Sequence, residues 1–352
     1  MNKIILSVFA SLFLFACSNN DDQTVSDDQG GGGLKFEITA STKSGDGLKA
    51  GTPLYSQEAT QHVTRVSIYA FKQNGADYTY VKTYDVSGWT DGLTSKVYTV
   101  ADSDKLPAGN YKFLVVGRPA ADDYTVTAPT AATKFEDLAA KIAATGNESE
   151  IFAGWAQAQV LDNGARVSVT ITRKVAGVLG YFKNIPQTLN GNTVKYLRLT
   201  VNATNLQTSL STGLGSVAGT VNYNLINLDL STQTVTDGLY TGNTITGVTK
   251  VANSQLWGAY LIPATGVSLT LGLYSDTDAP IKTWTVKSGS ATSFDILANN
   301  FYSLGRKLKV DTTDGVDPTD PDDDDDPIDL LSDETVTITI SPAWIINYLS
   351  IE

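Results

Sequence analysis

The chain has 352 residues, 41% hydrophobic and 9% aromatic, with 30 glycines, 11 prolines and a formal net charge of −12. These values suit a folded, soluble protein and exclude wholesale disorder and a multispanning membrane fold. A single cysteine and a single histidine rule out by count a disulfide framework, a Cys/His zinc cluster, an iron–sulfur centre and a multi-histidine metal site. No residue pattern calls for a cofactor. The acidity is local: residues 311–334 hold twelve Asp/Glu and no Lys/Arg, Asp21, Asp22, Asp27 and Asp28 add four more, and residues 35–310 carry 24 basic against 20 acidic side chains. Neither the near-neutral body nor the acidic runs offer a polyanion a cationic track, so no nucleic-acid partner is expected.

At the N-terminus Lys3 precedes an apolar run over residues 4–15, interrupted only by Ser7 and Ser11. The run is shorter than the ~20 residues of a membrane-spanning helix and reads as a secretory signal peptide, residues 1–16. It ends in Leu14-Phe15-Ala16-Cys17, which resembles the lipobox of bacterial lipoproteins. That resemblance implies cleavage before Cys17, a diacylglycerol on its sulfur and acylation, such as palmitate, of the new amino group; two or more chains anchor stably. Ser18-Asn19-Asn20-Asp21-Asp22 is similar to the acidic export tag that carries some lipoproteins to the outer face of the outer membrane. Residues 17–33, mostly Asp, Gln, Ser and Thr and closing in four glycines, form a tether of rms length ~20 to 25 Å.

From Leu34 the dominant period is two. Val66, Ile68 and Ala70 alternate with Arg65, Ser67 and Tyr69, and Asn74-Gly75 turns the chain into a second strand over residues 78–86. Residues 106–110 punctuate the chain before the aromatic and β-branched strand of residues 111–116. Thr133-Lys134-Phe135-Glu136 makes a capping box, and Phe135, Leu138, Ala139 and Ile142 then fall on one helical face. A single short helix among many strands predicts an all-β sandwich architecture. Beyond Asp162-Asn163-Gly164 the pattern restarts, with strands expected over 166–173, 176–183, 193–201, 257–263, 267–274, 281–287 and 301–310. The expected domains are residues 34–162 and 163–310. Residues 208–249, rich in Ser, Thr, Gly and Asn with weak alternation, are either edge strands with long loops or an insertion.

Several phrases then match a known family. Val63-Thr64-Arg65-Val66-Ser67-Ile68-Tyr69-Ala70-Phe71, Leu106-Pro107-Ala108-Gly109-Asn110-Tyr111, Arg173-Lys174-Val175-Ala176-Gly177, Tyr260-Leu261-Ile262-Pro263-Ala264 and Asn300-Phe301-Tyr302-Ser303-Leu304-Gly305 resemble the fimbrillins, the lipoprotein-derived pilins and anchor proteins of type V pili. With the lipobox, the resemblance extends over most of residues 17–310. It implies two tandem transthyretin-like β-sandwich domains, a role as pilus subunit or anchor at the cell outer membrane, and other pilus subunits as partners.

The acidic segment 311–334, with Pro318, Pro321 and Pro327, buries too little apolar surface to fold and is expected to be a flexible linker. After it, in residues 335–352, Val336, Ile338 and Ile340 face one way and Thr335, Thr337 and Thr339 the other. A strand this hydrophobic needs a sheet to join. The leash of 24 residues reaches roughly 25 to 30 Å, enough to fold back on its own lobe or to enter a neighbour's as a donor strand. In the fimbrillins, resemblance implies that a protease removes an N-terminal strand after Arg or Lys, opening a groove that the next subunit's C-terminal strands fill. Here the strand to be removed is residues 34–40, with Phe36 and Ile38 as its apolar face, and the basic positions after it are Lys43 and Lys49. Residues 41–56 contain no Arg, a departure that favours an uncleaved, membrane-retained anchor if the protease is arginine-specific. The donor-like C-terminal strand points instead to a polymerising subunit.

Other readings carry less. In the run Asp322 to Asp326, Pro327 stands where an EF-hand requires glycine. Gly213-Leu214-Gly215-Ser216-Val217-Ala218-Gly219 places its third Gly one position late for a dinucleotide fingerprint. Any triad chemistry must run through His62, which sits just before a strand as a polar edge residue, and nothing marks a glycosidase acid pair; no enzymatic activity is expected. The alternative function is a surface lipoprotein that binds carbohydrate by stacking sugars on Trp89, Trp155, Trp257, Trp284 or Trp344, against the simpler expectation that these rings anchor cores.

Overall fold

The computed structural model describes residues 33–40, 62–245, 248–276, 279–307 and 325–341. Alternating apolar residues make strands wherever the sequence repeats every second position. In the first lobe these are β1 (Gly33–Ala40), β2 (Arg65–Asn74), β3 (Asp77–Val86), β4 (Ser95–Thr99), β5 (Gly109–Arg118), β6 (Phe152–Val160) and β7 (Gly164–Arg173), hydrogen-bonded in the order β3-β2-β5-β6-β7-β1-β4. β6 and β7 pair only at Phe152–Ala153 with Thr172–Arg173. The seven strands therefore divide into two faces, β3-β2-β5-β6 and β7-β1-β4, which close over one core. Leu34, Phe36 and Ile38 of β1 meet Ile68, Phe113, Val115, Val167 and Val169 there.

The second lobe comprises β8 (Ala176–Lys183), β9 (Tyr196–Ser209), β10 (Gly215–Asp229), β11 (Ser254–Leu261), β12 (Leu269–Tyr274), β13 (Pro280–Lys287), β14 (Phe301–Leu304) and β15 (Val336–Ser341), with the path β11-β8-β14-β15-β13-β12-β9 and β10 beside β9. A second core of Val178, Leu197, Leu199, Leu271, Trp284, Val286 and Tyr302 fills it. The ambiguous stretch after residue 208 resolves into a 15-residue edge strand, β10, that runs antiparallel to β9, followed by short hairpins.

Three sequence expectations change. The helix expected after Thr133 is a single 3-10 turn, Phe135–Asp137, followed by a short strand, Ala139–Lys141. Phe135, Leu138, Ala140 and Ile142 are all buried, a set that suits a turn running into a strand as well as a helix. The main-chain groups of residues 139–141 pair with Gln207, Thr208 and Ser209 of β9, and this tertiary pairing outweighs local propensity. The expected boundary at residue 163 falls inside the first lobe, because β7 runs parallel to β1 along its whole length and antiparallel to the end of β6. Gly164, at φ +104°, permits that approach: a Cβ there would lie 2.2 Å from the Gly33 carbonyl oxygen. Finally, residues 325–334 of the acidic segment are folded onto the second lobe, as described below. The lobes also share a third core, in which Phe71, Leu114 and Ile151 meet Leu210 and Ile262.

Candidate functional site: two complementing strands

In β1 the even-numbered side chains Leu34, Phe36, Ile38 and Ala40 are at most 2% exposed. The Phe36 ring lies edge-on to Phe113 at 5.0 Å and 6.3 Å from Tyr84. On the opposite face the Glu37 carboxylate accepts from Arg166 and, at 3.1 Å, from the Ser168 hydroxyl; these bonds, the one from Arg166 first, hold its pKa below the usual carboxylate value. Both main-chain edges are used, in parallel with β7 from Gly33↔Gly164 to Ala40↔Ile171, and antiparallel with β4 from Lys35↔Thr99 to Thr39↔Ser95. β1 thus fills a slot with two hydrogen-bonding walls and an apolar floor, the arrangement that accepts an added strand. Lys43 and Lys49 follow it in the chain and, like Cys17, lie outside the described residues.

β15 fills a second slot. It runs antiparallel to β14 (Leu304↔Ile338, Tyr302↔Ile340) and parallel to β13 (Val286↔Val336). Val336 and Ile338 are buried in the second core, Ile340 packs against it half-buried, and Thr337 and Thr339 are exposed. The alternation read from sequence is therefore the alternation of burial, and the strand completes the chain's own sheet.

The stretch before β15 is held by polar contacts that sequence reading missed. The Lys307 ammonium donates to both Asp325 carboxylate oxygens, at 3.0 and 3.2 Å, with neither side chain exposed to solvent. The Tyr181 hydroxyl donates to Asp325 Oδ2 at 3.0 Å and accepts from the Val251 amide at 2.8 Å; burial pushes the Tyr181 hydroxyl pKa up. Arg306 and Asp326 exchange backbone hydrogen bonds of 2.8 and 3.0 Å. Gly305 at φ +78° makes the bend, where a Cβ would lie 2.4 Å from the Tyr181 carbonyl oxygen. Ile328–Asp329 then pairs with Phe182–Lys183 of β8, Leu330 is buried, and the Trp284 indole donates to the Asp333 carbonyl at 3.1 Å. The signal available in the sequence was the apolar break Ile328, Leu330, Leu331 within the acidic run.

Residues 26–348 match the family model described as fimbrillin-A associated anchor proteins Mfa1 and Mfa2. The chain belongs to this family. It is a family of fimbrial structural and anchor proteins, not of enzymes. Among solved structures the chain is similar to the fimbrial anchor protein Mfa2 from Porphyromonas gingivalis, at 12% identity over 77% of this chain and 90% of that one, TM-score 0.40. It is also similar to the tip fimbrial protein Mfa3 from the same organism, solved with a C-terminal truncation, at 11% identity over 88% and 98% of the two chains, TM-score 0.42. Comparison with curated proteins returns no match.

Among the described residues the remaining sequence candidates of this Mfa2-family chain make structural contacts. His62 Nδ1 lies 3.1 Å from Asp91, and the His62 amide donates to Glu150 Oε2 at 2.8 Å. The other Glu150 oxygen accepts from Arg173 Nε at 2.7 Å, both side chains at most 2% exposed, with the guanidinium 4.8 Å from the centre of the Phe152 ring. Tyr260 of β11 reaches the same carboxylate; burial first, then the Glu150 charge, push its hydroxyl pKa well up. This node joins the two lobes. Trp89 and Trp284 are buried, Trp155 and Trp257 half-buried, and Trp155 meets Phe135 edge-on at 5.3 Å. Trp344 lies outside the described residues. Among the described residues no exposed, coplanar tryptophan pair offers a sugar platform.

Proposed function

We propose that the chain is a surface-exposed fimbrial component, delivered to the outer membrane by lipid on Cys17, that after a cut behind β1 joins other fimbrial subunits by strand complementation in the slot of β1. The observation that carries this reading is the slot itself: an apolar floor with two main-chain edges, filled by a strand that leads directly to the segment holding Lys43 and Lys49, the only basic residues between β1 and His62. A cut after either lysine separates β1 from the body, so that the strand is retained by non-covalent contacts alone. The same cut severs the body from its lipid. The uncut chain stays on the membrane with its slot closed, and the cut chain is a subunit that accepts a partner's extended segment with apolar residues at alternate positions.

The test uses the full chain carrying a sequence-specific protease site between Lys43 and Lys49, challenged with a biotinylated peptide of the β1 sequence. The reading predicts capture of the peptide after the cut and none before it. No capture by the cut protein, even under conditions that displace its own β1, would overturn the reading.

A further inference from the structure

Complementation needs a donor, and among the described residues the apolar strand nearest the C-terminus is β15. Resting on the proposal that the β1 slot is the exchange site, we infer that β15 is a fixed part of its own sheet and is not the strand this chain gives to a partner's slot. The strand that fills the opened β1 slot is therefore not the β15 of a second copy.

The position of β15 is the first ground. It lies inside the sheet between β14 and β13, and taking it out would divide the second lobe's sheet and expose the core around Val336 and Ile338. The second ground is reach. A linker free from residue 311 would have searched about 25 to 30 Å, but docking begins at Asp325 and continues to Asp333, whose carbonyl the Trp284 indole holds. Only Glu334 and Thr335 separate Asp333 from β15, a span of about 10 Å at full extension, which is too short to carry the strand into another molecule. Release therefore requires the whole of residues 325–341 to leave together. The third ground is the charge left behind: departure of Asp325 strands the Lys307 ammonium, which has zero exposure and has Asp325 as its ion-pair partner. Leaving such a charge buried and unpaired is among the most unfavourable events in a folded protein.

The experiment locks β15 in place. Ser303 and Thr339 are directly opposed in the antiparallel β14–β15 pair, so the full chain with Ser303→Cys and Thr339→Cys, and with Cys17→Ala to remove the native thiol, forms a cross-strand disulfide on oxidation. Cut at the engineered site and mixed with the β1 peptide and with purified fimbrial subunits, the oxidised and reduced forms are expected to assemble equally. Assembly by the reduced form alone would overturn the inference while leaving the β1 slot intact as the exchange site; assembly by neither would overturn the slot reading on which it rests. A second measurement does not depend on the disulfide. Amide exchange at residues 336–341 of the otherwise native chain is expected to be equally slow before and after assembly, and faster by about two to three orders of magnitude in Asp325→Ala. Loss of protection at those residues on assembly, or their replacement by a labelled peptide of residues 335–341, would contradict it.

Discussion

The slot reading makes the grip on β1 a matter of a few side chains, and Phe36→Ala tests the largest. The ring is fully buried and touches two other aromatic rings, edge-on to Phe113 at 5.0 Å and tilted towards Tyr84 at 6.3 Å. Burial of a phenylalanine side chain is worth about 1.5 to 3 kcal/mol, and each aromatic pair adds about 0.5 to 1.5; with the cavity left behind, truncation costs about 3 to 5 kcal/mol. At 1.4 kcal/mol per tenfold, release of β1 from the cut chain should accelerate by about a hundredfold to several thousandfold. Glu37→Gln is the control. It sits on the same strand but faces solvent beside Arg166 and Ser168, where an exposed pair is worth at most about 1 kcal/mol. The assay follows dissociation of the β1 segment from the cut chain in the presence of excess labelled β1 peptide. A Phe36→Ala rate within about threefold of the parent's, the range of an ordinary surface substitution, would refute the claim that this pocket governs release.

Further expectations follow from the buried charges. Asp325→Ala should destabilise the second lobe by about 3 to 5 kcal/mol, whereas Lys307→Met with Asp325→Leu should return most of it, because an apolar pair leaves no stranded charge; equal losses in a urea titration of the two variants would contradict this. Glu150→Ala, which leaves Arg173 buried without its carboxylate, should cost about 3 to 5 kcal/mol and uncouple the lobes, seen as two denaturation transitions in place of one; an unchanged midpoint would refute it. Burial beside Tyr124 and Tyr223 raises the Glu148 carboxyl from 4.5 to about 7. The folded chain then holds this proton longer than the unfolded chain, so stability falls as pH rises from 4.5 to 7 and levels off above. The ceiling is about 3 kcal/mol, and the group's partial exposure lowers it to about 1 to 2. Glu148→Gln should flatten that slope in denaturation midpoints, and a slope left intact would remove Glu148 as its cause.

Strands whose two faces see different surroundings were legible. β7, the first half of β2 and the start of β15 were read nearly as they stand, because a period of two has one meaning when one face is buried; Ala176–Lys183, buried on both faces, was legible instead as a short apolar run between turn signals. The segment from Phe135 to Ile142 was not, since its apolar residues satisfy a helical face and a turn-plus-strand alike, and the deciding pairing with Thr208 lies far along the chain. The boundary at residue 163 failed for a related reason. Asp162-Asn163-Gly164 is a turn signal, but a turn between β6 and β7 within one sandwich looks the same as a linker between two. The site was half legible: β1 and β15 announced themselves by alternation, whereas the Lys307–Asp325 pair joins two residues that look like ordinary solvated charges until the fold brings them together. Composition correctly describes an acidic run as averse to burial, yet one aspartate in it found a buried lysine.

The measurement that tests the central claim most directly is the N-terminal residue of this chain within assembled fimbriae. Exchange at the β1 slot predicts chains that begin at Ser44 or Ala50, with the segment of residues 33–40 absent from the fibre. Assembled chains that begin at Cys17 and still carry β1 between β7 and β4 would contradict it.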